Sequence, residues 1–270
     1  MHGLRGYREV VQSLEWGLSQ LGHEVSVTEN SVAANCTNIL IGHVVVPPER
    51  LAALPKDTIV YNLEQMGGVP VEGLSPCCQI VADRFQVWEY SPRNLDAWKR
   101  FNTVRPPVVV PVSWAAPLER IPKVAAEDID VFLYGKSCVS RLEVFHELSE
   151  AGVRCVFACG LYGAERDALI ARSKIVLNIN LYYQTRIFEV VRASYLLANR
   201  KAVLADRHPE TFVEPDLEDA VCFAPRETLV QRCLALLNDE PARKELETRG
   251  YEIFRRRDIR ETLKPALAAL

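Results

Sequence analysis

The sequence has no CxxC pair, no apolar run near the roughly 20 residues that span a bilayer, and no surplus of basic charge. Each absence removes a class of function. Without CxxC spacing, and with five histidines scattered away from the eight cysteines, a metal site is not expected. Cys155, Cys159 and Cys222 stand in apolar, strand-like runs, where a reduced cysteine acts as a small hydrophobe. Without a spanning run or a signal-peptide pattern at its start, the chain is expected to be cytoplasmic and not integral to a membrane. With 32 basic against 35 acidic residues, the overall charge does not point to nucleic acid as a partner.

What is present is globular. The 270 residues are 49% hydrophobic and 25% charged, enough for two domains of ordinary size. Residues 7–21, YREVVQSLEWGLSQL, repeat apolar side chains at helical spacing and stop at Gly22. Strand patterns follow at 24–29 (EVSVTE), 38–43, 58–65, 85–91 and 108–114, with short helices expected at 47–54 and 93–101. A proline-dotted, charged stretch then reads as a linker over 116–129. The alternation restarts with strands at 130–135, 153–160, 175–180, 202–206 and 219–225, all but the fourth followed by a helical stretch. Strands alternating with helices predict parallel βαβ units, hence an α/β chain of two doubly wound halves. Their expected bounds are 1–115 and 130–255, with a helix over 256–270 able to cross back to the first half.

A doubly wound domain opens with a strand near the middle of its sheet. This chain opens at HGLRGY, which resembles the loop after such a strand. Either the start lies upstream of Met1, or the N-terminal domain lacks its first strand.

In open α/β sheets, ligands bind beyond the carboxyl ends of the strands, which turns the strand pattern into a set of candidate residues. In the first half these are His43, then Glu64 and Gln65, then Tyr90, Ser91 and Asn94. In the second half they are Gly135, Lys136 and Ser137, then Gly160, Tyr162 and Gly163, then Asn178, Asn180, Tyr182 and Tyr183. Taken singly, each has a plain alternative. His43 can bond a neighbouring carbonyl, Glu64 can cap a turn, Lys136 can be a solvated surface residue, and YGKS lacks the glycine pattern of a P-loop.

The stretch RIFEVVRASYLLANRKAVLAD, 186–206, carries Glu189 and Arg192 inside an otherwise apolar helical run. Spaced i, i+3, they can form a surface ion pair worth a few tenths of a kcal/mol. The run is apolar nearly all round, however, and a charge in a buried helix needs a partner or a ligand. A helix N-terminus just after a strand end offers backbone N–H groups to a phosphate, with Arg186 or Arg192 nearby. Glu189 would then accept hydrogen bonds from sugar hydroxyls, a layout that suits a nucleotide diphosphate sugar.

DVFLYGKSCVSRLEVFHELSEAGV, YGAERDALIARSKIVLNINLYY, the 186–206 stretch and RGYEIFRRRD together resemble the donor-binding domain of bacterial GT-B fold glycosyltransferases, group 1-like family. YREVVQSLEWGLSQLGHEV, IVYNLEQM and VWEYSPRN are similar to that family's acceptor half. The resemblance implies two Rossmann-like domains facing a cleft. The implied activity is metal-independent sugar transfer from a nucleotide diphosphate sugar, the co-substrate, to an unidentified acceptor, with no further cofactor. It makes Glu189 the acidic residue that contacts the donor, and Lys136 or Arg141 the cation that neutralises the diphosphate. The expected donor-binding set is Gly135, Lys136, Arg141, Tyr162, Asn180, Tyr182, Arg186, Glu189 and Arg192, and the acceptor-side base is His43 or Glu64 if the reaction inverts. The chain departs from the family pattern in having one glutamate where two stand eight apart, and Asn180 in place of a histidine. The alternative readings are a non-catalytic nucleotide-sugar or glycan-binding protein or partner subunit, and a sugar-nucleotide epimerase.

Overall fold

The computed structural model describes residues 4–66, 76–181 and 186–270. Contacts divide the chain into one unit of residues 1–113 with 258–270, and a second of 114–257.

In the first unit, α1 (Arg8–Gln20) packs on α10 (Ile259–Ala268). Gly17 permits the approach, since a Cβ there would lie 2.7 Å from the Ile259 side chain. Four parallel strands follow in sequence order, β1 (Ile39–Ile41), β2 (Ile59–Asn62), β3 (Gln86–Glu89) and β4 (Val108–Val109). α2 (Pro48–Ala52), α3 (Cys77–Arg84) and α4 (Leu95–Trp98) lie between them in the chain. Every residue of β2 and β3 is buried, as expected of central strands in a parallel sheet. Leu51, Val60, Val81, Phe85, Val87 and Trp98 belong to the core of this unit.

Two expectations fail here. EVSVTE forms no strand: Val27 is 52% exposed and the stretch has no ladder partner among the described residues, so its alternation buries neither face. The 93–101 helix breaks into 3₁₀ turns around the single turn of α4 and ends at Asn102 with φ +48°.

The second unit contains β5 (Ile129–Tyr134), α5 (Val139–Glu150), β6 (Cys155–Ala158), α6 (Ala164–Arg172) and β7 (Ser173–Asn178). α7 (Val190–Ala198), β8 (Ala202–Asp206), β9 (Cys222–Ala224), α8 (Leu229–Asn238) and α9 (Glu240–Arg255) complete it. The all-parallel sheet runs β6-β5-β7-β8-β9, so its first strand is inside and the order reverses between β5 and β7. That reversal is the topological switch point, where ligands of doubly wound sheets bind. Val131, Leu133, Ile175, Leu177 and Leu204 fill the centre of its core. α9 is held against the sheet end by Gly250, where a Cβ would lie 2.6 Å from the Ala220 carbonyl oxygen.

The helix expected to run from Ile187 begins only at Val190. Ile187 is drawn into a parallel bridge with Phe212, and the Phe188 N–H donates to the Phe212 carbonyl. An extended backbone tied sideways cannot also supply helical i to i−4 bonds. Glu189 therefore occupies the N-cap position, not the first helical turn.

Candidate functional site

The carboxyl ends of β5 and β7 carry an arginine-rich constellation. Arg141, in the first turn of α5, is 2% exposed. Its Nε and Nη2 donate to the Ile179 carbonyl at 2.9 and 2.5 Å, and its Nη1 donates to the Lys136 carbonyl at 2.6 Å. One side chain thus ties the two strand ends of the switch point together. Carbonyls satisfy its hydrogen bonds but do not neutralise its charge. Burial, and after it the positive charge of Arg192, pulls the guanidinium down to about 10, still charged at neutral pH.

Arg192 approaches the same point from α7. Its Nη1 donates to Asn178 Oδ1 at 3.1 Å, and its guanidinium carbon lies 5.6 Å from the Tyr134 ring centroid. The two arginines converge on Gly135, where a Cβ would lie 3.0 Å from Arg141 Nη1 and 3.2 Å from Arg192 Nη2. Neither has an ion-pair partner within 4.0 Å among the described residues. Lys136, exposed next door, has none either among those residues. Positive charge held without a close ion-pair partner at a switch point is a seat for an anion.

Gly135 has φ +124°, a conformation side chains rarely adopt. Gly135→Ala is expected to destabilise this unit by about 1 to 3 kcal/mol and to displace the two guanidinium groups. Urea unfolding checks it, and an unchanged midpoint would refute the close approach.

The Glu189 backbone carbonyl accepts from Asn178 Nδ2 at 3.2 Å and from the Ala193 N–H at 3.2 Å. Its carboxylate makes no hydrogen bond or ion pair among the described residues. The i, i+3 ion pair with Arg192 is not formed, because Arg192 turns to Asn178 and Tyr134 instead. A half-buried carboxylate thus stands at the N-terminus of α7, where the helix dipole favours negative charge.

The other expected donor-site residues are less uniform. Asn180 donates its N–H to Asp206 Oδ1 at 2.9 Å, linking the ends of β7 and β8. Tyr162 lies half-buried on the loop after β6. Arg186 is ion-paired with Glu210 at 2.7 Å and so is committed to the 208–212 loop. Tyr182 and Tyr183 lie outside the described residues.

Behind Arg192, a second layer was not anticipated from the sequence. Arg120 and Arg166 stack on Tyr195 at 4.8 and 4.6 Å, and the Tyr195 hydroxyl donates to Asp167 Oδ2 at 2.8 Å. Burial first, and then that bond, push the Tyr195 phenol above its ordinary range. Asp206, whose carboxyl is raised mainly by burial, was signalled only by an acid closing the apolar run AVLAD.

In the first unit, His43 and Glu64 follow the adjacent strands β1 and β2. His43 is 1% exposed and neither ring nitrogen has a hydrogen-bond partner among the described residues. Burial pulls its pKa down to about 4, which keeps it neutral. Glu64 is half-buried and its Oε1 accepts a hydrogen bond from the Tyr7 hydroxyl. Glu89, missed in the sequence, is fully buried at the carboxyl end of β3. Among the described residues no group of three or more His, Cys, Asp or Glu side chains is placed to hold a metal ion, and no helix is long and apolar enough to cross a membrane.

No family model and no curated protein matches the chain. Solved structures do. TarM matches with a TM-score of 0.60 at 13% identity over 86% of this chain and 54% of its own, so the chain spans about half its length. AviGT4, a glycosyltransferase involved in avilamycin A biosynthesis, matches at 0.56 and 15% identity over 98% of this chain and 88% of its own. Anabaena HepE, in complex with UDP and glucose, matches at 0.56 and 11% identity over 79% of this chain and 72% of its own. The fold they share with this chain is the GT-B glycosyltransferase fold.

Proposed function

From a fold shared with glycosyltransferases, we propose that this chain transfers a sugar from a nucleoside diphosphate sugar to an acceptor, with the donor held by residues 114–257. The observation that carries this is the pair of guanidinium groups, Arg141 and Arg192, converging on Gly135 at the switch point with no ion-pair partner within 4.0 Å among the described residues. In this reading the diphosphate sits against Gly135, Lys136 and Arg192, with Arg141 contributing charge from behind. Fixed cations aimed at a leaving diphosphate favour the transition state, where its charge grows. Glu189, unpartnered at the head of α7, accepts hydrogen bonds from the sugar hydroxyls.

For an inverting transfer, Glu64 is the better base of the two candidates in the first unit. A base must reach the acceptor hydroxyl directly. His43 is 1% exposed, whereas Glu64 is half-buried and its carboxylate accepts a hydrogen bond from the Tyr7 hydroxyl.

Because HepE is seen with UDP, UDP and UDP-glucose are the first ligands to test by thermal shift, followed by the guanosine, thymidine, cytidine and adenosine compounds. A ligand at 100 times its Kd adds about 2.7 kcal/mol of apparent stability. Glu189→Ala is expected to weaken UDP-glucose binding about tenfold while leaving UDP nearly unchanged. No stabilisation by any nucleotide would overturn the assignment, and binding without release of UDP would favour a non-catalytic role.

A further inference from the structure

The stretch over 116–129 that reads as a linker in the sequence is pinned at both ends. Asn199 Oδ1 accepts from the Arg120 and Ile121 N–H groups at 3.0 and 2.8 Å, and Asn199 Nδ2 donates to the Leu118 carbonyl at 2.8 Å. At the other end Glu127 Oε1 lies 2.7 Å from the Nζ of Lys201, which is buried. Between these anchors, residues 121–125 line one side of a groove of about 810 Å³, with the end of α8 and the start of α9 on the other. Small-molecule sites span roughly 300–1,000 Å³. Glu127, Ala171 and Lys201 in its wall stand just before β5, β7 and β8, so the groove opens at the end of the sheet opposite Gly135.

Charge in the groove is unevenly satisfied. Lys201, Glu127, Lys244 and Glu247 form a row of alternating sign, with Lys244 Nζ 3.3 Å from Glu127 Oε2 and 3.0 Å from Glu247 Oε2. Lys174 and Arg200 pair outward, with Asp130 at 2.7 Å and Glu119 at 3.6 Å. Arg243 is left over. It is 4% exposed, and its Nε has no hydrogen-bond partner among the described residues. Its Nη1 donates to the Leu236 and Leu237 carbonyls at 3.2 and 3.1 Å. Those carbonyls close α8, where a cation is favourable, but they occupy one guanidinium nitrogen and supply no counter-charge. No carboxylate lies within 4.0 Å of Arg243 among the described residues, Glu240 on the same helix included. Water satisfies an exposed carboxylate such as Glu240, whereas a buried guanidinium without a counter-charge is costly. Lys123, exposed on the 121–125 side, has no ion-pair partner either among those residues.

We propose that this groove is a second ligand site, for a phosphate monoester, distinct from the donor seat at the switch point. Its phosphate meets Arg243 and Lys123, since a guanidinium fork and an ammonium are the groups that bind phosphate oxygens best. Glu127 and Glu247 keep lone pairs beyond those facing the lysines and accept from hydroxyls of the same molecule. A bare phosphate ion would leave most of the groove empty. The site stands whether or not the chain transfers a sugar.

The test is amide hydrogen exchange of the full chain with inorganic phosphate or glycerol phosphate, each against sodium chloride of equal ionic strength to remove general screening. Glycerol phosphate is expected to slow exchange over 121–127 and 238–244 by about threefold or more. Inorganic phosphate should do the same only at a concentration about fivefold higher. Arg243→Gln should weaken the effect about tenfold, while Arg192→Gln, at the switch point, leaves it within about twofold. Lys123→Glu disturbs no hydrogen bond or ion pair of the fold, so it should keep the unfolding midpoint and raise the concentration needed about threefold or more. It carries the test if Arg243→Gln does not fold. Protection confined to 135–141 and 189–192 would put phosphate at the switch point alone and overturn the proposal. Protection over 121–127 that survives Arg243→Gln and Lys123→Glu would overturn it too, and equal potency of the two probes would refute the monoester.

Discussion

Arg141→Met is expected to destabilise the 114–257 unit by about 2 to 5 kcal/mol, because it leaves the buried Ile179 carbonyl and the part-buried Lys136 carbonyl without their donor. Methionine retains most of the stem volume, so the loss reports hydrogen bonds more than packing. The two carbonyls belong to segments after β5 and β7, whose separation defines the switch point. Arg141→Lys should recover little, since an ammonium lacks the planar fork that serves both carbonyls at once. Urea unfolding measures the effect, and a loss under 0.5 kcal/mol, taken as a rough threshold for a surface substitution, would show that Arg141 does not hold the two ends together. Arg192→Gln separates charge from scaffold. It can still reach Asn178, so the fold should persist while nucleotide stabilisation falls.

The second large effect is a pH dependence of the first unit. Burial raises Glu89 from 4.5 to about 7 against the opposing bonds from Asn62, Trp98, Asn94 and the Ser91 N–H. The folded pKa is above the unfolded one, so between those values the folded state binds more protons. Stability from this group is present below about pH 4.5 and is lost as pH rises through about 7. The gap between 4.5 and about 7 corresponds to about 3 kcal/mol. Measured by denaturant unfolding, the stability difference between the natural chain and Glu89→Gln should fall by about that amount from pH 4.5 to pH 8. A pH-independent difference would mean that Glu89 stays ionised throughout, its donors outweighing its burial.

Particular residues show why some of this was legible in the sequence and some was not. β2, β3, β5 and β7 were visible because strands buried on both faces are mostly apolar, and TIVYN, FQVWE, DVFLY and IVLN are. Gly135 and Lys136 were candidates for the same reason, since whatever follows such a strand stands at the ligand end of the sheet. EVSVTE alternates as a strand should and yet forms none, because a strand also needs a neighbour. His43 and Glu64 looked alike as polar residues after strands. Burial then separated them, leaving one neutral and, among the described residues, unpartnered, and the other half-open against Tyr7.

Glu189 marks the division most clearly. Its spacing from Arg192 was a property of the sequence, and a bond between them was one of two readings that spacing allowed. The choice was made by contacts distant in the chain: Phe212 holds 187–188 extended, and Asn178 with Tyr134 takes Arg192 away. The same holds for Glu89, whose donors Asn62, Ser91, Asn94 and Trp98 come together only when β2 and β3 lie side by side. Hydrophobic periodicity is local, so the sequence by itself determined which segments are strands and which end of each can meet a ligand. Hydrogen-bond partnership and desolvation depend on which strands are neighbours, so only the tertiary structure decided which charges there are satisfied and which are left for a substrate.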